Sequence, residues 1–173
     1  IIGVAAYKPP HSSPGKESYV FDFVGMLGLP LVPCHEFPVE AKAAFFSFHA
    51  LTDPEFETKL AQLVQRGVPV LLTDGLAKEL KNQEVLKSPN VHVLAVQGDC
   101  HRLLKLPESE LNELRRTMLS PWSMTIRGPN RLGVYIYADG SYVLENFNDE
   151  AIRVEFNGVE HSIEARDWVQ VWK

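Results

Sequence analysis

The residues best suited to chemistry fall in five short stretches. Cys100-His101 puts a thiol beside an imidazole after an apolar run. His49 stands near Asp53, Asp74-Gly75 follows Thr73, Cys34-His35-Glu36 groups three metal-ligand types, and His11-Ser12-Ser13 lies in a proline-rich segment. A thiolate whose pKa is lowered by a helix N-terminus or an imidazolium is a working nucleophile. Gly98-Asp99-Cys100-His101-Arg102 supplies half of the bend such a residue needs. Small residues are wanted on both sides, and Arg102 stands where glycine belongs. Adjacent residues in an extended segment also point opposite ways, so His101 is poorly placed to serve Cys100. The plain alternative for Cys100 is an inert, buried thiol.

The other constellations are weaker. Cys34-His35-Glu36 and Asp99-Cys100-His101 have the right atoms for zinc, but the topology derived below puts them at opposite edges of one sheet. Zinc ligands must each lie about 2.0–2.3 Å from the ion, so no metal site is expected. No Gly-x-Gly-x-x-Gly follows the first strand, and no cofactor is expected. Glu55/Glu57 and Glu108/Glu110 lie two apart on predicted helices and do not face each other. Trp122, Tyr135, Tyr137, Tyr142, Phe147, Trp168 and Trp172 are numerous enough for a sugar-stacking face. The plain alternative is the core of a small sandwich, since alternating large residues mark a half-buried sheet.

Positioning these groups requires elements. Ile1–Tyr7 reads as a strand buried on both faces. Lys16–Leu27, with Val20, Phe23, Val24 and Leu27 at helical spacing, reads as a helix capped by Gly28. Leu29–Cys34 is a second strand, and Pro30 and Pro33 assign it to a sheet edge. Ala43–His49 is a third. Thr52 or Asp53 caps the next helix, Pro54 sits in its first turn, and Phe56, Leu60, Leu63 and Val64 form its apolar stripe. Val68–Thr73 is a fourth strand. Asp74-Gly75 turns the chain into a helix, Leu76–Leu86, and Val91–Val96 is the fifth strand.

Helical crossovers force parallel pairing, so the expected fold is α/β, a flavodoxin-like open parallel sheet of order 2-1-3-4-5. Ligands bind beyond the carboxyl ends of such strands. That rim supplies the candidate ligand-binding residues His11, Ser12, His49, Asp74, Asp99 and His101, with Cys100 as the one catalytic candidate. The competing reading is that these loops are polar because they face water.

The period then changes. Glu108–Met118 is a short helix with Leu111, Leu114 and Met118 on one side. Beyond Pro121 the alternation is strand-like, with Asp139-Gly140 and Asn157-Gly158 as hairpin turns. Gly75 and Gly140 are expected to take positive φ, and Asn157-Gly158 to be a two-residue turn. About five antiparallel strands are expected over 122–173. The division is thus an α/β domain over 1–105, a linker helix over 106–121 and a small antiparallel β domain over 122–173.

Composition sets limits. Lys and Arg number 17 against 22 Asp and Glu, a net charge of −5, so a basic nucleic-acid footprint is absent. No apolar run reaches the roughly 18 residues of a membrane helix. Two cysteines exclude a disulfide-rich scaffold. Ile1-Ile2-Gly3 reads as the middle of a strand, so a piece of a larger protein is expected.

Ala43–Thr73, with Phe45-Phe46, His49-Ala50-Leu51-Thr52-Asp53-Pro54, Val64-Gln65-Arg66-Gly67 and Val70-Leu71-Leu72-Thr73, resembles the glutamine-amidotransferase-like middle (trimerisation) domain of β-galactosidases. Arg131-Leu132-Gly133-Val134-Tyr135, Val143 to Glu150 and Ile152-Arg153-Val154 resemble the small β domain that ends such glycosidases. Amidotransferases proper carry Gly-x-Cys-x-Gly after a central strand and a later His-x-Glu. Here Thr73 leads into Asp74-Gly75-Leu76, and no His-x-Glu occurs. The resemblance therefore implies a non-catalytic accessory region of a larger carbohydrate-active enzyme, serving domain packing or oligomerisation. Its partners would be an upstream catalytic domain, a second copy of the chain or carbohydrate, and secretion or a periplasmic location is implied over the cytoplasm. The alternatives are a degenerate amidotransferase-like domain with a small ligand at the strand ends, and a Cys100 hydrolase.

Overall fold

The computed structural model describes residues 1–173. Five strands, β1 (Val4–Tyr7), β2 (Leu31–Cys34), β3 (Ala44–Phe46), β4 (Val70–Thr73) and β5 (Val91–Leu94), form one sheet of order β2-β1-β3-β4-β5. The pairs β1–β3, β3–β4 and β4–β5 are parallel. This is the expected topology, with the proline-bearing β2 at an edge, where a missing N–H costs least. The intervening helices are α1 (Val20–Gly25), α2 (Phe56–Gln65) and α3 (Asp74–Glu79). After β5 come α4 (Glu108–Leu119) and six short strands: β6 (Ile126–Arg127), β7 (Leu132–Ile136), β8 (Tyr142–Asn146), β9 (Ile152–Phe156), β10 (Val159–Ile163) and β11 (Trp168–Val171).

Contacts divide the chain into two units. One is Val4–Val20 with Pro33–Cys100; the other is Ile1–Gly3, Phe21–Val32 and His101–Lys173. The second unit is discontinuous, whereas the sequence suggests a contiguous cut.

In the first unit the core is aromatic. Phe46 and Phe56 meet edge-on at 5.2 Å, and Phe37 stacks on Phe46 at 5.4 Å. Phe56, Leu60, Leu63 and Val64 are all buried, as the stripe requires. Local details differ from the sequence reading. β3 stops at Phe46, and Phe48–Thr52 is a 3₁₀ turn rather than a strand continuation. α2 begins at Phe56, and Asp53 Oδ1 accepts from Glu55 N–H at 3.0 Å in an Asx turn just ahead of it. The expected helix Leu76–Leu86 is broken into α3 and a 3₁₀ turn, Gln83–Lys87. Glu57 makes the break possible, because its carboxylate accepts from the Lys81 and Asn82 amides.

In the second unit β10-β9-β6 and β11-β8-β7 are two antiparallel three-stranded sheets. Leu132, Val134, Tyr142 and Leu144 of one share a core with Ile126, Ile152, Val154 and Phe156 of the other. β6 escapes the alternation rule because two residues show no period. Asn157 and Gly158 have φ of 49° and 80°, and Val159 pairs with Phe156, so they form the expected two-residue turn. Gly140 has φ 86°, also as expected. Asn146, 1% exposed, donates to the carbonyls of Glu150, Ile163 and Glu164 and so ties β8 to β10.

Candidate functional site

At the carboxyl ends of β4 and β5 the first unit contains a cleft of about 950 Å³. It is lined by Gly15, Lys16, Glu17, Phe48, Asp74, Gly75, Lys78, Glu79, Gln97 and Gly98. This is the place where parallel sheets bind ligands, and the size suits a small organic molecule.

The bend between β4 and α3 is built by two side chains. Thr73 accepts from Leu76 N–H at 3.3 Å and caps α3. Asp74 Oδ1 accepts from Val96 and Gln97 N–H at 2.9 and 3.0 Å, and Oδ2 lies 3.3 Å from Lys78 Nζ. Burial alone would raise the Asp74 pKa, but the two amides and the lysine outweigh it and hold the carboxyl below its ordinary range. Gln97 and Gly98 accept left-handed φ of 53° and 73°, and Asp99 N–H closes their turn on Val96 C=O at 3.0 Å. Asp74 thus fastens the β5 loop to α3; it is an ionised structural acceptor.

Gly75 is not at positive φ, contrary to expectation; it is an ordinary helical residue of α3. Glycine stands there for space. A Cβ at this position would lie 2.3 Å from Glu17 Oε1.

Glu17 was not among the sequence candidates. It is 2% exposed, and its Oε2 accepts from Phe48 N–H at 3.0 Å. Its Oε1 is buried and makes no hydrogen bond of good geometry, with the Thr73 hydroxyl and Gly75 amide close to the carboxylate. Burial raises its pKa above the ordinary 4.5, more than the neighbouring Phe48 amide, Thr73 hydroxyl and Gly75 amide lower it, and the Asp74 charge adds to the rise. A carboxyl raised in the folded state binds more protons than in the unfolded chain. Its stabilising share is complete below pH 4.5 and is lost as pH rises through the folded value. Glu17→Gln is therefore expected to raise stability at pH 7 and to flatten the stability profile above pH 4.5. Urea melts of both proteins from pH 4 to 8 check this, and an unchanged profile would contradict it.

The remaining candidates separate. Ser12 Oγ and His49 Nδ1 lie 2.8 Å apart, which resembles a nucleophile and base. Ser12 Oγ, however, donates its one hydrogen to Pro9 C=O at 2.6 Å, so His49 is the donor to Ser12. Burial, then the Lys8 charge, lowers the His49 pKa, and the imidazole is a neutral part of the loop. His11 is exposed at φ 56°. Asp99 is exposed, and the exposed His101 ring lies 4.8 Å from Phe23. The structure brings together Ser12 with His49, and places Asp74 alone of the candidates on the cleft.

Cys100 is 4% exposed, and burial, then the charges of Glu17 and Asp99, push its thiol up to about 11. Thiolate is scarce there at neutral pH, the reverse of an activated nucleophile. Cys34, half-buried, is also raised by burial. Iodoacetamide at pH 7 is expected to label Cys100 only after denaturation; rapid native labelling read by mass spectrometry would contradict this.

One further polar cluster escaped the sequence reading. Tyr7 donates to Asp53 Oδ2 at 3.1 Å, Lys59 Nζ lies 2.9 Å from the same oxygen, and burial with the Asp53 contact pushes Tyr7 up to about 12. It clasps the end of β1 to the start of α2. No helix is long and apolar enough to cross a membrane.

A family model described as the uncharacterized protein SSO3021, second domain, matches residues 2–101. No curated protein and no solved structure matches the chain.

Proposed function

The chain belongs to the family of the uncharacterized protein SSO3021, second domain, and we propose that it serves as a non-catalytic accessory region of a larger, carbohydrate-active polypeptide. The observation that carries this reading is the bend after β4. Where an amidotransferase-like domain would hold its nucleophile, this chain has Thr73 committed to a helix cap and Asp74 committed to two amides and a lysine. The nearby thiol of Cys100 is buried and held protonated. The matching model describes a second domain, which suits one part of a multidomain chain.

A packing role has a surface to use. On β11 Trp168 lies opposite Glu145 of β8, and Tyr135 of β7 lies opposite Val143 of β8. These side chains share one outer face with Trp172, which contacts Tyr137 at 5.9 Å. Trp168, Trp172 and Tyr135 are 58%, 62% and 40% exposed, whereas Tyr142 on the inner face is 6% exposed. An aromatic face of this kind suits a neighbouring domain or a second copy. Single-tryptophan proteins retaining Trp168 or Trp172 are expected to be quenched by acrylamide readily in the isolated chain and several-fold less in the whole polypeptide. Equal quenching in both would overturn the packing role.

The second reading, a small ligand at the strand ends, is favoured by one specific feature, the cleft of about 950 Å³ at the carboxyl ends of β4 and β5.

A further inference from the structure

We propose that β11 is a pairing edge for a second copy of this chain. The copy adds antiparallel across a twofold axis at Gln170, joining the three-stranded β11-β8-β7 sheets of both copies into one.

The sequence of this strand reads the same in both directions. Trp168-Val169-Gln170-Val171-Trp172 is a palindrome, flanked by the opposite charges of Asp167 and Lys173. In an antiparallel pair centred on Gln170, Trp168 meets Trp172 of the second copy, Val169 meets its Val171, and Asp167 meets its Lys173. Aromatic, β-branched and opposite-charge pairs are the cross-strand combinations that stabilise a sheet. Neighbouring registers lose the match. A centre on Val169 sets Trp168 against Gln170 and Asp167 against Val171, and a centre on Val171 sets Val169 against Lys173.

The backbone groups lie on the side this register needs. β11 ends its sheet and pairs only with β8. Asn146 N–H donates to Asp167 C=O at 2.8 Å, and Lys173 N–H to Ser141 Oγ at 3.0 Å, so the odd-numbered residues turn their main chain toward β8. By alternation, Trp168, Gln170 and Trp172 direct N–H and C=O away from it. These three are the residues that a Gln170-centred pair joins. Asp167 Oδ1 holds the Trp168 N–H at 2.8 Å, and Trp172 C=O of the second copy would take that hydrogen over.

Other edges are blunted. At the far side of the same sheet β7 is covered, since Ile2 N–H donates to Ile136 C=O and Leu132 N–H to Met26 C=O, both at 2.8 Å. β2 carries Pro33, and β10 carries the exposed Glu160. From Trp168 to Trp172 β11 has neither proline nor charge, the devices that keep exposed edges from pairing. With β7 covered, the twofold pair closes at two copies. The pairing uses the strand edge and leaves the outer faces of the tryptophan rings open. It therefore stands whether or not a neighbouring domain covers them.

Sedimentation velocity of the whole chain over a concentration series is the test. The expected result is a reversible equilibrium between the 19.5 kDa chain and a species of about twice that mass. Gln170→Pro removes a donor that β8 does not use, and Gln170→Lys sets two like charges face to face on the axis. Each is expected to weaken the dimer at least about tenfold, Gln170→Pro through the loss of both central hydrogen bonds. Circular dichroism shows whether each variant remains folded. Asp167→Lys is expected to weaken the dimer severalfold, and the double exchange Asp167→Lys with Lys173→Asp to restore it. A monomer at every concentration, or a dimer that neither Gln170 variant weakens, would overturn the pairing edge. A double exchange no better than Asp167→Lys alone would overturn the register.

Discussion

Arg115→Met is expected to destabilise the second unit by at least about 3 kcal/mol, more than an ordinary surface arginine by an order of magnitude. Arg115 is 0% exposed. Its Nε donates to Leu27 C=O at 2.7 Å, Nη1 to Gly128 C=O at 2.6 Å and Asn112 Oδ1 at 3.0 Å, and Nη2 to Pro129 C=O at 2.8 Å. Burial pushes its pKa down to about 10, which leaves it charged at neutral pH. A buried ion pair can often be exchanged for apolar residues because both partners go. Here three acceptors are main-chain carbonyls, which no side-chain replacement removes, so truncation strands them without donors. Arg115→Lys is expected to rescue little, since one ammonium cannot reach carbonyls spread over a planar fork. Gly28 shares the constraint: it has φ +77°, and a Cβ there would meet Arg115 Nε at 2.7 Å. The chain's three tryptophans, Trp122, Trp168 and Trp172, lie in this unit, so their fluorescence in urea reads the loss. A shift below about 1 kcal/mol would show that the guanidinium is dispensable.

Phe56→Ala is expected to cost about 3–5 kcal/mol in the first unit. The ring is 1% exposed and meets Phe46 edge-on at 5.2 Å and Phe37 at 6.2 Å. Removal leaves a cavity bounded by rings that cannot collapse into it without losing their own contacts. The unit contains no tryptophan, so near-ultraviolet circular dichroism of its two tyrosines, Tyr7 and Tyr19, and its phenylalanines in urea is the measurement. The midpoint should fall with little change in slope. A change below about 1 kcal/mol would mean that α2 does not seat its stripe on the sheet.

The sheet order was legible because it follows from local facts. Continuous apolar runs separated by helical periods force parallel pairing, and Pro30 and Pro33 disqualify one run from the interior. The hairpins were legible because Asp139-Gly140 and Asn157-Gly158 state their own backbone. Gly75 misled for the same reason, since Asp-Gly reads as a turn and its true cause is a carboxylate 58 residues earlier in the chain. Glu17 was illegible: it precedes the apolar stripe of Val20, Phe23, Val24 and Leu27, and only the fold lays it against Gly75 at the β4–α3 bend. Arg115 left a signal that was not used, because it sits four residues after Leu111 and three before Met118, on the buried stripe. The aromatic strands were ambiguous by composition but not by alternation: Tyr142 falls on the inner phase, Tyr135 and Trp168 on the outer.

Steady-state assay of the intact chain against glutamine and aryl glycosides, alongside Cys100→Ala, tests most directly whether the chain is non-catalytic. The expected result is hydrolysis at the buffer rate by both proteins. Turnover by the unaltered chain that Cys100→Ala abolishes would contradict the account.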